Sequence, residues 1–147
     1  MRIHLAADHA GFTTKEALKA HFIDKGYEVV DHGALAYDAA DDYPPQCIAC
    51  AQAVVDDEGS LGFVLGGSGN GEQMAANLVP ACRAALVWSI ETAQLARAHN
   101  DAQVAAIGGR MHSEEEAITF AQAFVDEPFS GDQRHERRIK LMLDYRP

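Results

Sequence analysis

The stretch Gly66-Gly67-Ser68-Gly69-Asn70-Gly71-Glu72-Gln73 sets four glycines, a serine and an acid between the apolar run Leu61–Leu65 and a helical segment, Glu72 to Leu78. Glycine lets successive backbone N–H groups turn inward into a concave nest, and unpaired N–H groups at a helix start attract negative charge. The glycines at 67, 69 and 71 match neither the G-x-G-x-x-G dinucleotide loop nor a Walker loop, which ends in Gly-Lys-Ser/Thr. A tight strand-to-helix connection would also account for the glycines, but not for Glu72. A carboxylate at the lip of an anion site competes with the ligand unless it acts on it. Proton transfer by Glu72, beside a nest that receives a developing oxyanion, uses both features.

Further polar groups stand at similar junctions. Asp8-His9-Ala10-Gly11 follows the strand-like run Ile3–Ala7, and Gly108-Gly109-Arg110 follows Val104–Ile107. His99-Asn100 closes a helical segment, where a histidine taken alone reads first as a complement to the helix dipole. Arg134 and Arg138, four apart on one helix face, could clamp a phosphate together with Arg110. The seven histidines lack metal-ligand spacing, so no metal is expected. Cys47-Ile48-Ala49-Cys50 has the redox spacing, but it falls in an apolar helical segment. These two and Cys82 are expected to be buried core residues.

The chain has 147 residues, 48% of them hydrophobic, as expected for one domain spanning 1–147. A net charge of −10 argues against nucleic acid as a partner. No apolar run approaches membrane-spanning length and the N-terminus lacks a signal-peptide pattern, so the expected location is cytoplasmic. Strand-like runs at Ile3–Ala7, 27–30, Leu61–Leu65, 84–88 and Val104–Ile107 alternate with helical segments. One helix opens on the apparent capping box Thr13-Thr14-Lys15-Glu16, another follows Pro44-Pro45, and a third opens on Ser113-Glu114-Glu115-Glu116. The expected fold is α/β, a Rossmann-like three-layer α/β/α arrangement with a five-stranded parallel sheet. In such a sheet ligands bind beyond the carboxyl ends of the strands, where the loops after the first, third and fifth strands converge.

These pieces, taken in order, resemble the RpiB/LacAB sugar-phosphate isomerase family, on its type B ribose-5-phosphate isomerase branch. The matching motifs are Ala7-Asp8-His9-Ala10-Gly11, Asp42-Tyr43-Pro44, Gly67-Ser68-Gly69-Asn70-Gly71, His99-Asn100 and Arg134-His135-Glu136-Arg137-Arg138, and they cover nearly the whole chain. Many members carry a cysteine base where this chain has Gly66. The present loop is similar to the form that uses a glutamate instead, which carries the base role to Glu72. The resemblance implies that His99 opens the furanose ring and that Asp8 and His9 contact the sugar phosphate. It further implies that Gly67, Ser68, Gly69, Asn70 and Gly71 form the anion hole, with Ser68 bonding the substrate and Tyr43 beside it. Asn100 contacts the sugar, and Arg110, Arg134 and Arg138 hold the phosphate. It also implies a homodimer, or a dimer of such dimers, with His99, Asn100 and Arg110 supplied by the neighbouring subunit.

The expected reaction is conversion of ribose 5-phosphate to ribulose 5-phosphate through a cis-enediolate, which needs no cofactor. A tetrose or hexose phosphate would use the same machinery. Two readings from other classes are a flavodoxin-like redox module using Cys47 and Cys50, and a sugar-phosphate sensor without catalysis. The sensor has no use for both Glu72 and His99.

Overall fold

The computed structural model describes residues 1–145 of the chain. Five strands form one parallel sheet: β1 (Arg2–Ala7), β2 (Glu28–Asp31), β3 (Leu61–Gly66), β4 (Ala84–Leu86) and β5 (Val104–Gly108), in the spatial order β2-β1-β3-β5-β4. Six helices accompany them: α1 (Phe12–Asp24), α2 (Tyr43–Asp56), α3 (Asn70–Ala76), α4 (Ile90–Asn100), α5 (Glu114–Asp126) and α6 (Gln133–Leu143). The α/β/α architecture read from the sequence is therefore the observed one.

The central strands β1, β3 and β5 are almost wholly buried, as strands covered on both faces must be. Their side chains alternate between two cores. Leu5, Phe63 and Ile107 meet Leu18 and Phe22 of α1, Ala93 and Ala96 of α4, and Phe120 and Phe124 of α5. Ala6, Val64 and Ala106 face Cys47, Cys50 and Val54 of α2 and Ala75 of α3. The chain runs from β1 outward to β2, then returns past β1 to β3. Loops leaving β1 and β3 consequently diverge to opposite faces, and a crevice opens between them at the carboxyl ends.

Helix starts depart from the sequence reading in two places: α3 begins at Asn70 rather than Glu72, and α1 does not begin on its expected cap. Thr13 to Glu16 is not a capping box: α1 begins two residues earlier than that cap would set it, its N-cap is Gly11, and no side chain caps it. The space explains this, because a Cβ at Gly11 would collide with the backbone of Leu65 and Gly66. The α1 start is packed against the end of β3, leaving no room for a capping side chain. Ser113 does accept from the Glu116 N–H at 3.1 Å. A reciprocal capping box that sequence reasoning does not single out joins Ser89 and Thr92 at the start of α4.

Lys15 is fully buried in α1, with its Nζ 2.6 Å from Asp31 Oδ2 at the end of β2 and 2.7 Å from Glu16 Oε1. Lys19 adds a contact at 2.9 Å, and the Gly33 N–H donates to Asp31 Oδ1 at 3.0 Å. Burial alone would push the Asp31 carboxyl up, but these three donors outweigh it and hold the group below its ordinary value of 3.8. The stabilisation is therefore present above that value and fades as pH falls through the lower folded-state value. Asp31→Ala should destabilise the protein by about 3–5 kcal/mol at pH 7, because Lys15 is then buried against Glu16 alone. Urea denaturation measures this. A loss below about 1 kcal/mol would mean that Lys15 reaches water in the variant.

Candidate active site

Strands β1, β3 and β5 deliver Asp8-His9, Gly66–Glu72 and Gly109-Arg110 to the same rim. Asp8, His9, Tyr43, Gly67, Ser68, Gly71, Glu72, Arg110 and Met111 line an open cleft of about 600 Å³ there. Backbone bonds lock the three loops together: Asp8 N–H to Leu65 C=O, Gly109 N–H to Gly66 C=O at 2.7 Å and Arg110 N–H to Gly67 C=O at 3.1 Å. Asp8 Oδ1 accepts from the N–H groups of Ala10 and Gly11, which closes the turn into α1.

Glu72 lies in the first turn of α3 and is 4% exposed. Its carboxylate occupies the place where a side chain at Gly66 would project: a Cβ built there would fall on the carboxylate itself. A base at position 66 and a glutamate at 72 in this pose exclude each other. Burial, with Asp8 adding repulsion, pushes the Glu72 carboxyl above its ordinary value of 4.5, against the pull of the backbone N–H groups of Glu72 and Gly69. A raised carboxyl is a stronger proton acceptor once ionised, as enolisation requires.

The glycine loop is partly committed to itself. Gly69 has φ +85°, a left-handed conformation suited to glycine, and serves as the N-cap of α3. The Asn70 N–H donates to Ser68 Oγ at 3.3 Å. Ser68 and Gly67 remain accessible at the cleft. Tyr43, the first residue of α2, lays its ring against Gly71, where a Cβ could not fit. The Arg110 side chain lies 3.6 Å from the Cβ position of Gly67.

His99 and Asn100 are not at this rim. A helix joining parallel β4 to parallel β5 must run back along the sheet, so α4 ends beside the amino ends of the strands. Arg83, the residue before β4, accordingly donates from Nε to the Asn100 carbonyl at 2.9 Å. His99 is exposed and stacks on His135 of α6, with ring centroids 4.3 Å apart. Burial, then the nearby His99, lowers the His135 pKa. Arg134 and Arg138 are exposed on α6 and do not line the Glu72 cleft, although Arg110 does. A larger cleft, about 740 Å³, includes Gln73, Asn77, Arg83, Asn100 and Met142 but not Glu72, so size does not mark the chemistry.

Asp41 is the polar residue at the rim that sequence reasoning does not distinguish, since Asp38, Asp41 and Asp42 read alike as an acidic loop. Its Oδ1 is 2.8 Å from His9 Nδ1 and also accepts the His9 backbone N–H at 2.9 Å. Asp8, His9 and Asp41 bring ligand atoms within 4.8 Å of one another, the group among the described residues that could hold a cation. The short bond from His9 Nδ1 describes an ion pair in the same geometry.

A parallel sheet whose strand ends present a buried carboxylate, an imidazole and a guanidinium to an open cleft defines an α/β enzyme site for acid–base work on a small anion. Known proteins agree. The Ribose/Galactose Isomerase family model matches residues 3–142. Ribose-5-phosphate isomerase B of Mycobacterium tuberculosis is 57% identical over 145 residues, covering 99% of this chain and 90% of that protein. Its Escherichia coli namesake is 34% identical over 141 residues, covering 96% and 93%. The crystal structure of ribose-5-phosphate isomerase B from Mycoplasma genitalium with bound ribulose-5-phosphate has a TM-score of 0.93 and 38% identity, covering 98% and 95%. The chain belongs to the ribose/galactose isomerase family, and it is an isomerase.

The cysteines lie where a redox role would be obstructed. Cys47 and Cys50 are fully buried between α2 and the sheet, and burial pushes both thiols well up. Burial raises Cys82 to about 11. All three thiols should resist a disulfide reagent in the native protein at pH 8 and react fully in denaturant. Rapid native labelling of Cys47 or Cys50 would reopen the redox reading.

Proposed function

We propose that this chain interconverts ribose 5-phosphate and ribulose 5-phosphate through a cis-enediolate, with Glu72 as the base that carries hydrogen between C2 and C1. The observation that supports this most is the Glu72 carboxylate, buried, raised in pKa and seated over Gly66 at the floor of the cleft. In the open-chain aldose Glu72 takes the proton from C2. The electron pair forms the C1–C2 double bond, and the C1 carbonyl oxygen becomes the enediolate oxygen. Backbone N–H groups of the Gly67–Gly71 loop and the Ser68 hydroxyl receive that charge. Return of the proton to C1, with the O2 hydrogen passing to O1, leaves the ketose. No electron acceptor is consumed, so the reaction needs no cofactor.

The sugar phosphate is held by His9 and Arg110, with Asp8 and Tyr43 on the sugar. The ring-opening role of His99, the Asn100 contact and the Arg134 and Arg138 clamp require a second copy of the chain, because all four residues stand away from the Glu72 cleft. In that arrangement Arg110 is assigned to the neighbouring copy as well. Its place in the same chain's cleft equally suits a phosphate held within one subunit. The working unit in this proposal is a cytoplasmic homodimer with two composite sites, or a dimer of such dimers. A 57% identical relative named ribose-5-phosphate isomerase B supports the pentose over a tetrose or hexose. The proposed reaction belongs to the non-oxidative branch of the pentose phosphate pathway. Among the described residues no helix is long and apolar enough to cross a membrane.

Two experiments test the reading. Glu72→Gln should lower kcat for ribose 5-phosphate on the order of 100- to 10,000-fold while leaving phosphate affinity within about threefold. In the wild type, the acid limb of the kcat profile should lie above pH 4.5, the ordinary glutamate value, since a raised carboxyl must still ionise to act. More than about a tenth of wild-type turnover in the variant would mean another base. Subunit mixing tests the second half. Glu72→Gln and His99→Asn homodimers should each be nearly inactive, and their heterodimer should recover toward half of wild-type activity, because one site carries both lesions and the other neither. Heterodimers as inactive as their parents would overturn the shared site.

A further inference from the structure

Asp41 Oδ1 receives two hydrogen bonds from one residue, the His9 backbone N–H at 2.9 Å and the His9 ring Nδ1 at 2.8 Å. A carboxylate has no hydrogen to give, so Nδ1 is the nitrogen that carries the proton. The other ring nitrogen, Nε2, has no partner among the described residues, and His9 lines the same cleft as Glu72 and Arg110. Asp41 Oδ2 is buried without a hydrogen bond of its own. Tyr37 stands edge-on to the imidazole, with centroids 6.4 Å apart.

We propose that Asp41 is a positioning residue that fixes the tautomer and charge of His9, so that Nε2 meets the substrate phosphate as an N–H donor. The identity of the anion rests on the isomerase reading above; the role of Asp41 rests on the geometry. With Nδ1–H held by a carboxylate, neutral His9 can offer only a lone pair at Nε2, which repels an anion. The imidazolium offers an N–H and a positive charge. Phosphate capture by this histidine thus requires the charged ring, and Asp41 supplies the counter-charge that keeps it charged in a partly buried place.

The groups facing His9 act in both directions. The hydrogen bond to Asp41 is the largest influence and raises the imidazole above its ordinary value of 6.5. Burial opposes it, the charges of Asp8 and Asp41 add to it, and Arg110 across the cleft lowers it. Phosphate affinity should therefore persist to higher pH than a free imidazole would allow and weaken as pH rises through the raised value. The loop carrying Asp41 is anchored for this task. The Gly33 carbonyl and Ala34 N–H bond to Ala7, both at 2.7 Å, one residue before Asp8. Lys15 and Lys19 hold Asp31 at the loop's start.

The test follows the His9 ring by nitrogen-15 NMR titration in the wild type, Asp41→Asn and Asp41→Glu. It also measures inorganic phosphate affinity across pH 6–9, with kcat and KM for ribose 5-phosphate. In Asp41→Asn the His9 midpoint should move to lower pH, phosphate affinity at pH 7.5 should fall about 3- to 10-fold, and KM should rise with kcat nearly unchanged. Asp41→Glu, which keeps the carboxylate, should restore part of each effect. A folded Asp41→Asn protein with an unchanged His9 midpoint and phosphate profile would overturn the proposal and leave Asp41 as a loop contact. Should Asp41→Asn fail to fold, His9→Gln decides: a pH profile of phosphate affinity reduced to phosphate's own ionisation supports the role of the charged ring, and a profile unchanged from wild type overturns it. Binding of Mn²⁺ or Zn²⁺ to the wild type, lost in Asp41→Asn and competing with phosphate, would replace the ion pair by a metal site at Asp8, His9 and Asp41. A shifted His9 titration without turnover of ribose 5-phosphate would sink the substrate assignment while the Asp41–His9 coupling stands.

Discussion

The bare Cα of Gly66 is the constraint on which the site depends. It ends β3, the strand between β1 and β5, where the sheet is most enclosed and every neighbouring atom is already placed. The Glu72 carboxylate enters that gap from the first turn of α3 and lies against the strand end, out of water yet facing the cleft. Burial then raises its pKa, because a carboxylate removed from solvent resists ionisation, and repulsion from Asp8 adds to it. The same gap, filled by a cysteine at position 66, would put a thiol where the carboxylate now sits. A side chain at position 66 and the carboxylate of Glu72 are thus alternatives for one volume, and the glycine is what admits the glutamate.

Keeping that volume defined requires the surrounding loops to be rigid, and the chain does so with close backbone contacts more than with side chains. Gly11 lets the start of α1 rest on the Leu65–Gly66 backbone, and the Gly66 carbonyl takes the Gly109 N–H. A displacement of either loop would move Gly66 and reopen the space beside Glu72. The Lys15–Asp31 pair plays the corresponding role one strand away. It is deeply buried and costly to desolvate, so its contribution is best seen as fixing geometry: it sets where the long β2–α2 loop begins and hence where Asp41 meets His9.

Much of this is legible in the amino-acid sequence. Strand–helix alternation gave the sheet, because buried parallel strands leave unbroken apolar runs such as Phe63-Val64-Leu65. The rim residues Asp8, His9, Gly67 and Glu72 followed from parallel topology, which brings all strand ends to one side. What escaped depends on distance in space. Thr13 to Glu16 has the composition of a capping box, yet packing of Gly11 against β3 sets the helix start instead. Lys15 is a buried helix residue only because Asp31 arrives from another strand. Asp41 is one of three similar acids in a loop, and only the folded position of His9 distinguishes it. Each is a contact between segments that no local periodicity encodes.

The same topology that assembles one half of the site withholds the other. A right-handed crossover between parallel strands sends its helix back toward the amino ends, so α4 must deliver His99 and Asn100 to the side opposite Glu72. Its 11 residues span roughly 16 Å, about the length of the five-residue β5 that follows it. No rotamer of His99 can cross that distance. Enolisation at C1 and C2 and proton transfer at the ring oxygen act on neighbouring atoms of one small sugar, so both groups must reach the same ligand. If His99 takes part, it therefore does so from another copy of the chain. His99 of α4 and Arg134 and Arg138 of α6 are exposed in the single chain, where on the proposed shared site they would be free to meet a ligand in the neighbour's cleft. On the proposed shared site, association becomes a condition of the full reaction, with Glu72 held rigidly within each subunit and the ring-opening group supplied by the second copy.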